Sequence, residues 1–391
     1  MYERWPDDHE VATFYALSLL GTVRPGDTGF RRQALAASIV MKVFEENPKH
    51  PGAAHFIIHS FDDPEHAPLG LPAARAYAGI APAAAHALHM PSHIFVQLGL
   101  WADVVASNID AYAAAVEVNK RLDLPEGRED FHTLSWLSYG NLMLGNFDDA
   151  LANVELARAA MERNPGNAGI REGFLGMRAR YILETEQWER IPLEAGGEHA
   201  AHAAMPGMAM AQSGGGPWLF IAGASAAKLG DAAAADAVAA ELKRLRERLA
   251  AEGNAYRAQS VAILENEVAA LASLARGAPE AAIRLARDAA EIERTMSPPS
   301  GPPDPIKPAH ELYGEVLLAA HRPTEAVAAF EQALLRTPKR TPSLLGLARA
   351  AAAAGDAAAA RRAYTELVEM RGAAATSPAV REAQAWLATN R

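Results

Sequence analysis

Histidine is the residue type in this sequence with the most chemistry to offer. The chain holds 13, and 7 of them fall between positions 50 and 93: His50, His55, His59, His66, His86, His89 and His93. Two pairs, His55/His59 and His89/His93, are four residues apart. On a helix such residues stand one above the other, with Cβ atoms about 5–6 Å apart. Two imidazoles so placed can grip one metal ion, and neutral imidazole is the commonest metal ligand. Asp62, Asp63 and Glu65 could add oxygen ligands. The helical zinc-protease motif requires Glu after its first His. Here those positions hold Phe56 and Met90, which speaks against that chemistry. Pro91 lies inside the second pair. If a helix starts at Pro91, His89 precedes it and the i, i+4 argument fails there. The competing reading is a buried polar network in which these histidines pair with Asp62, Asp63 or backbone carbonyls and hold helices in register.

Other chemistry is sparser. His199, His202, Met205, Met208 and Met210 form a soft donor set of the kind that suits copper(I). They fall in a Gly-, Ala- and Met-rich stretch whose composition is ordinary for a loop, and the loop reading is the stronger. No phosphate-binding glycine loop, dinucleotide fingerprint or nucleophile elbow is present. Ser60 and Ser92 lie near histidines, but no catalytic nucleophile can be named. An acid–base role for His59 or His93 stays open.

Composition narrows the setting. The chain has 391 residues, half of them hydrophobic, with a net charge of −10 and a pI near 5.7. That charge matches nucleic acid and anionic membranes poorly, so neither is expected as a partner. With no cysteine, disulfides, thiolate metal sites and iron–sulfur clusters are excluded. No apolar run of about 18 residues suggests a membrane span. The first residues lack a basic stretch followed by an apolar one, so a cytoplasmic protein is expected.

The elements that must carry the histidines read as helices throughout, with no alternating strand pattern. In 307–340, Gly314, Leu317, Ala326, Phe330, Ala333 and Pro338 are spaced as in a tetratricopeptide repeat. The segment 341–374 repeats the pattern 34 residues on, with Ala348, Ala360 and Tyr364 answering Gly314, Ala326 and Phe330. Gly355-Asp356 supplies the turn within it. Weaker copies surround Gly277, Gly145, Leu229-Gly230-Asp231 and Leu98-Gly99-Leu100-Trp101. The expected fold is all-α: a right-handed superhelical solenoid of antiparallel helix pairs. A His-rich N-terminal region spans 1–120, and middle helix pairs span 131–296 with a long loop at 194–217. C-terminal repeats span 307–391, after the proline-rich stretch 297–308. A polar linker covers 121–130.

In tetratricopeptide repeats, positions 2, 5, 9 and 12 of the first helix face the concave, ligand-binding surface. With Gly99 as the turn glycine, His86, His89 and His93 fall at positions 2, 5 and 9. With Gly145 in that role, His132 falls at 2 and Tyr139 at 9. The stretches His50-Pro-Gly-Ala-Ala-His55-Phe-Ile-Ile-His59-Ser-Phe-Asp-Asp63, Leu71-Pro-Ala-Ala-Arg75 and His86-Ala-Leu-His89-Met-Pro-Ser-His93-Ile-Phe95 resemble a largely uncharacterised bacterial family of tetratricopeptide-repeat proteins. The resemblance runs on through Phe131-His132-Thr133 to the last repeats. It implies the repeat fold but brings no established activity. Similar proteins usually carry an additional helical segment ahead of this chain's first residue, so a short form is expected. Their connection around His199–Met210 also looks different.

Two functions follow. One is a metal site lining the concave groove of the N-terminal half, with His55, His59, His89 and His93 as ligands and His86 and His132 as further or supporting ones. Its ion would be divalent or redox-active, zinc or copper foremost. The protein would then be a metal-dependent hydrolase or oxidase acting on a small molecule or peptide held in the groove. The alternative is a non-catalytic scaffold that binds a peptide or protein partner.

Overall fold

The structure is a computed structural model. It describes residues 1–24, 27, 29–124, 128, 130–191, 215–372 and 377–390. The histidines and methionines between 199 and 210 lie outside the described residues. Among the described residues there is no strand, and no helix is long and apolar enough to cross a membrane.

The chain is an array of tetratricopeptide-like helix pairs, and its turns show why. Five of the glycines expected at turns adopt the left-handed conformation: Gly99, Gly145, Gly230, Gly277 and Gly355. At Gly355 the N–H of Asp356 bonds the carbonyl of Ala351 (2.9 Å) and that of Gly355 bonds Ala352 (3.2 Å). This paired closure ends a helix and reverses the chain. Asp356 then accepts from the N–H of Ala359 (2.9 Å) and starts the next helix. The Gly230-Asp231 turn is built the same way. At His321 a non-glycine residue takes the left-handed position, with φ 58° and the same two bonds.

The chain forms two compact units. The first comprises residues 1–140, 296–302 and 336–338. It contains α1 (His9–Leu20), α2 (Arg31–Glu46), α3 (Pro51–Ser60), α4 (Ala67–Ile80), α5 (Ala85–His89), α6 (Pro91–Gln97), α7 (Trp101–Arg121) and the start of α8 (Phe131–Leu144). Sequential helices α1 to α4 pack on one another, and α5 and α6 both pack on α7. Apolar faces drive this packing. Ile57 and Ile58 of α3, Ala73, Ala74 and Tyr77 of α4, Ile94 and Phe95 of α6, and Val104 of α7 are all buried.

The second unit comprises residues 141–295, 303–335 and 339–391. It holds α9 (Phe147–Arg163), α10 (Ala168–Thr185), α11 (Gly215–Lys228), α12 (Ala232–Ala251), α13 (Ala255–Ala275) and α14 (Pro279–Arg294). After these come α15 (Ala309–Ala319), α16 (Pro323–Arg336), α17 (Thr341–Ala353), α18 (Ala357–Arg371) and α19 (Pro378–Thr389). The 34-residue repeat is α15–α16 followed by α17–α18. Phe330 is fully buried between Gly314 and Gly346, and a Cβ at either glycine would collide with its ring. Small residues thus admit the aromatic that fills the gap between helices. One difference concerns the expected 194–217 loop. Helix α11 begins at Gly215, because Trp218, Phe220 and Ile221 give that segment an apolar face that packs into the unit's core.

A charged cluster is also buried in this unit. Arg340 is 0 % exposed, hydrogen-bonds Glu311 at 2.8 and 3.1 Å and ion-pairs with Glu184 at 2.7 Å, while Lys307 ion-pairs with Glu311 at 2.8 Å. Burial alone would raise the Glu311 pKa, but Arg340 and Lys307 outweigh it and hold the carboxyl at about 2.

Candidate metal centre

The first unit brings all six singled-out histidines into one continuous row. Along it run His86, His55, His59, His93, His89 and His132. Nε2 of His86 lies 3.2 Å from Nε2 of His55, and Nε2 of His59 lies 3.0 Å from that same atom. The His59 and His93 rings follow at 5.9 Å between centroids, and His93 and His89 at 5.2 Å. His89 Nε2 stands 3.0 Å from His132 Nε2. Of the row, His89, His93 and His132 form a closed set, each offering one ligand atom within 4.8 Å of the other two.

Local structure explains the row. His55 and His59 sit one turn apart on α3, so their rings meet at 4.7 Å. His89 and His93 meet across a helix break. Helix α5 ends at His89 and α6 starts at Pro91, so the pair does not share one helix. Met90 between them keeps right-handed helical angles (φ −53°, ψ −36°), and the chain advances by nearly one helical turn. The spacing therefore survives the proline. His132 comes from the first turn of α8.

Two of the closed set are oriented by partners at their other nitrogen. His89, only 2 % exposed, has Nδ1 2.7 Å from Oδ1 of Asn108. Asn108 in turn donates through Nδ2 to the carbonyl of Val104 (2.7 Å), so its oxygen must face the ring. His89 Nδ1 is therefore the donor, and Nε2 carries the lone pair. Nδ1 of His93 lies 2.7 Å from Oδ2 of Asp62. Gln97 donates to the other Asp62 oxygen (3.0 Å) and to the carbonyl of Pro299 (2.8 Å). Such carboxylate and amide partners fix imidazole tautomers at metal sites. Trp136 backs the set, its ring 4.5 Å from His93, 4.9 Å from His89 and 5.6 Å from His132. Gly301 lies against that indole with no room for a Cβ.

The electrostatics keep five of these rings, His55, His59, His86, His89 and His132, neutral near pH 7. Burial, then the neighbouring His59, His86 and His93, lowers His55 from its ordinary 6.5 to about 3. Burial and His93 lower His89 to about 3 and His59 to about 4, Asp62 opposing the shift at His59. His86 and His132 are lowered by the same two causes, with Asp130 opposing. His59, His86 and His132 each reach solvent at one edge. The rest of each ring faces protein, so desolvation still leads.

The remaining histidines of the stretch do structural work. His50 caps α3, its Nδ1 accepting from the N–H of Ala53 (3.2 Å). His66 pairs with Asp63 (2.9 Å) and stacks on Phe30 at 3.6 Å. Among the described residues no carboxylate joins the closed set: Asp62 orients His93, Asp63 holds His66, and Glu65 is exposed. Tyr139, placed on the open face by the repeat register, is instead 1 % exposed with Trp101 edge-on to its ring. Asn108, Gln97, Pro299 and Trp136 had no signal as site residues, although Trp136 was visible as a repeat aromatic.

No protein-family model matches the chain, and no curated protein matches it. Solved structures of tetratricopeptide-repeat proteins are similar. One from Parabacteroides merdae is 12% identical, covering 78% of this chain and 98% of its own, with a TM-score of 0.40. Yeast Tom70 is 12% identical over 98% of this chain and 90% of its own, at 0.37. The tetratricopeptide domain of P58(IPK) is 14% identical over 98% and 99%, at 0.29. At such scores the weight stays on the helix pairs and turns of the chain itself.

Proposed function

We propose that the helix-pair scaffold of the first unit binds a transition-metal ion through His89, His93 and His132. The observation that carries this reading is the pair of oriented imidazoles. Asn108 and Asp62 occupy Nδ1 of His89 and His93, which leaves Nε2 of each ring for an ion, and Nε2 of His89 stands 3.0 Å from Nε2 of His132. A tetrahedral ion with bonds of about 2.0–2.1 Å sets its ligand nitrogens roughly 3.3 Å apart, so the set, whose ligand atoms lie within 4.8 Å of one another, would close on it by side-chain movement. An all-nitrogen set suits zinc or copper. Three protein ligands leave a position for water or substrate, the arrangement of catalytic rather than structural sites. The ion would activate a bound water for hydrolysis or, if redox-active, support an oxidation. The substrate would be a small molecule or peptide reaching the solvent-exposed edges of His59, His86 and His132.

The alternative, a scaffold for a peptide or protein partner, has no comparable observation in its favour. The test is elemental analysis of the purified full chain beside a His89→Ala/His93→Ala variant. The expected result is at least one bound ion per chain, with the ion at this set lost in the variant while its helical circular dichroism is unchanged. Absence of metal from the wild type, with no binding on titration, would overturn the reading and turn the search to peptide partners.

A further inference from the structure

The histidine row is too long for one ion. Only His89, His93 and His132 lie mutually close, and none of the contacts of His55 Nε2 is with that set. Instead His55 Nε2 is the hub of a second group, 3.0 Å from His59 Nε2 and 3.2 Å from His86 Nε2. Hydrogen bonding accounts for this arrangement poorly. One ring nitrogen holds either a proton or a lone pair, so His55 Nε2 cannot donate to one neighbour and accept from the other. Sharing a single proton or lone pair between both leaves each bond weak. A cation that accepts lone pairs from all three nitrogens removes the conflict once His59 and His86, which do not lie mutually close, swing in on it.

We infer that His55, His59 and His86 bind a second divalent transition-metal ion, next to the one held by His89, His93 and His132. This extends the metal reading given above and rests on it. Three observations support the site. The pair His55/His59 has the one-turn spacing of a helical chelate. Tyr77 stacks on the His55 ring at 5.5 Å, which limits how far it can swing, while His59 and His86 have exposed edges and are free to close on an ion. The carboxylates of Asp62 and Asp130 act on His59 and His86 from outside the donor set and favour a cation there. The donor set is again all nitrogen, without carboxylate or thiolate. This fits the ions that prefer imidazole over the hard, oxygen-seeking ones such as magnesium or calcium. The two groups meet where His59 faces His93, 5.9 Å between centroids, which places two ions side by side along one face.

The test uses metal-free full-length protein titrated with zinc ion, followed by calorimetry and by elemental analysis after dialysis. Two double variants are compared with wild type: His59→Ala/His86→Ala, at exposed positions that leave the core intact, and His89→Ala/His93→Ala. The expected result is two ions for wild type and one for each double variant, at unchanged circular dichroism. One ion in wild type, kept with unchanged affinity in His59→Ala/His86→Ala, would overturn the second site and leave the first standing. One ion lost in both variants would mean a single shared site and would also overturn it. No ion in any protein would sink the metal reading as a whole.

Discussion

What an imidazole can do at one nitrogen is set by what its other nitrogen already does. Asn108 and Asp62 are therefore as informative as the histidines. Asp62→Asn keeps the shape beside His93 but removes the carboxylate charge, and loss of such a partner typically weakens metal binding about 10–100-fold. We expect that drop in a zinc competition assay, with little change in melting; unchanged affinity would mean that Asp62 does not orient a ligand. Asn108→Ala leaves the buried Nδ1–H of His89 with only the distant Ser92 Oγ (3.5 Å) as acceptor, a loss that costs about 1–3 kcal/mol. Chemical denaturation should show that loss, since Asn108 is 0 % exposed. These partners were not legible in the sequence. Asn108 stands 19 residues from His89, Gln97 stands 35 from Asp62, and Pro299 stands 202 from Gln97. Periodicity reports which face a residue takes, not which residue of another helix meets it.

At the scale of elements, turns and small residues carry the repeat. Gly355 has φ +82° and open space where a Cβ would go, so Gly355→Ala isolates the backbone term. The left-handed conformation costs a residue with a Cβ about 1–2 kcal/mol, and the melting curve should fall accordingly. Gly346→Ala is a different experiment, because its Cβ would run into the Phe330 ring. Overpacking of this kind costs about 1–3 kcal/mol. The turn glycines and the 34-residue period were readable from the sequence because they are local. The break at Pro91 was readable too, but its consequence was not. Only the helical angles of Met90 show that His89 and His93 stay one turn apart. Arg340 lies just before the second repeat and has no visible signal as a core residue. Its partners come from α10 and α15, so Arg340→Leu should strand the buried Glu184, leave Glu311 to Lys307 alone among cations, and lower stability by about 3–5 kcal/mol.

At the scale of the whole molecule, pH separates the histidine row from Glu311. Five imidazoles are lowered in the folded chain below their ordinary 6.5, His55 and His89 to about 3 and His59 to about 4. Below pH 6.5 the unfolded chain binds these protons and the folded chain resists them, so stability falls as pH falls. Glu311, held at about 2, contributes stability above its ordinary 4.5 and loses it only below that value. The metal-free protein should therefore melt lower at about pH 5.2 than at about pH 7.5, before Glu311 begins to titrate and against the opposing pull of Glu267, whose buried carboxyl is raised well above 4.5. A flat profile across that window would contradict the buried, neutral state of the row. The all-α repeat architecture was legible from periodicity over most of the chain. So were the six histidines, five from their density and His132 from the repeat register. Their joining into one row depends on the packing of α3, α5, α6 and α8, which no local pattern encodes.

The central claim is that imidazole nitrogens of this row hold a transition-metal ion. X-ray absorption on the zinc-loaded full chain tests it most directly, because it reads the ligands rather than the effect of removing them. The account predicts a first shell dominated by nitrogen at about 2.0–2.1 Å, with the outer scattering of about three imidazoles per ion. A shell of oxygen without imidazole scattering would contradict it.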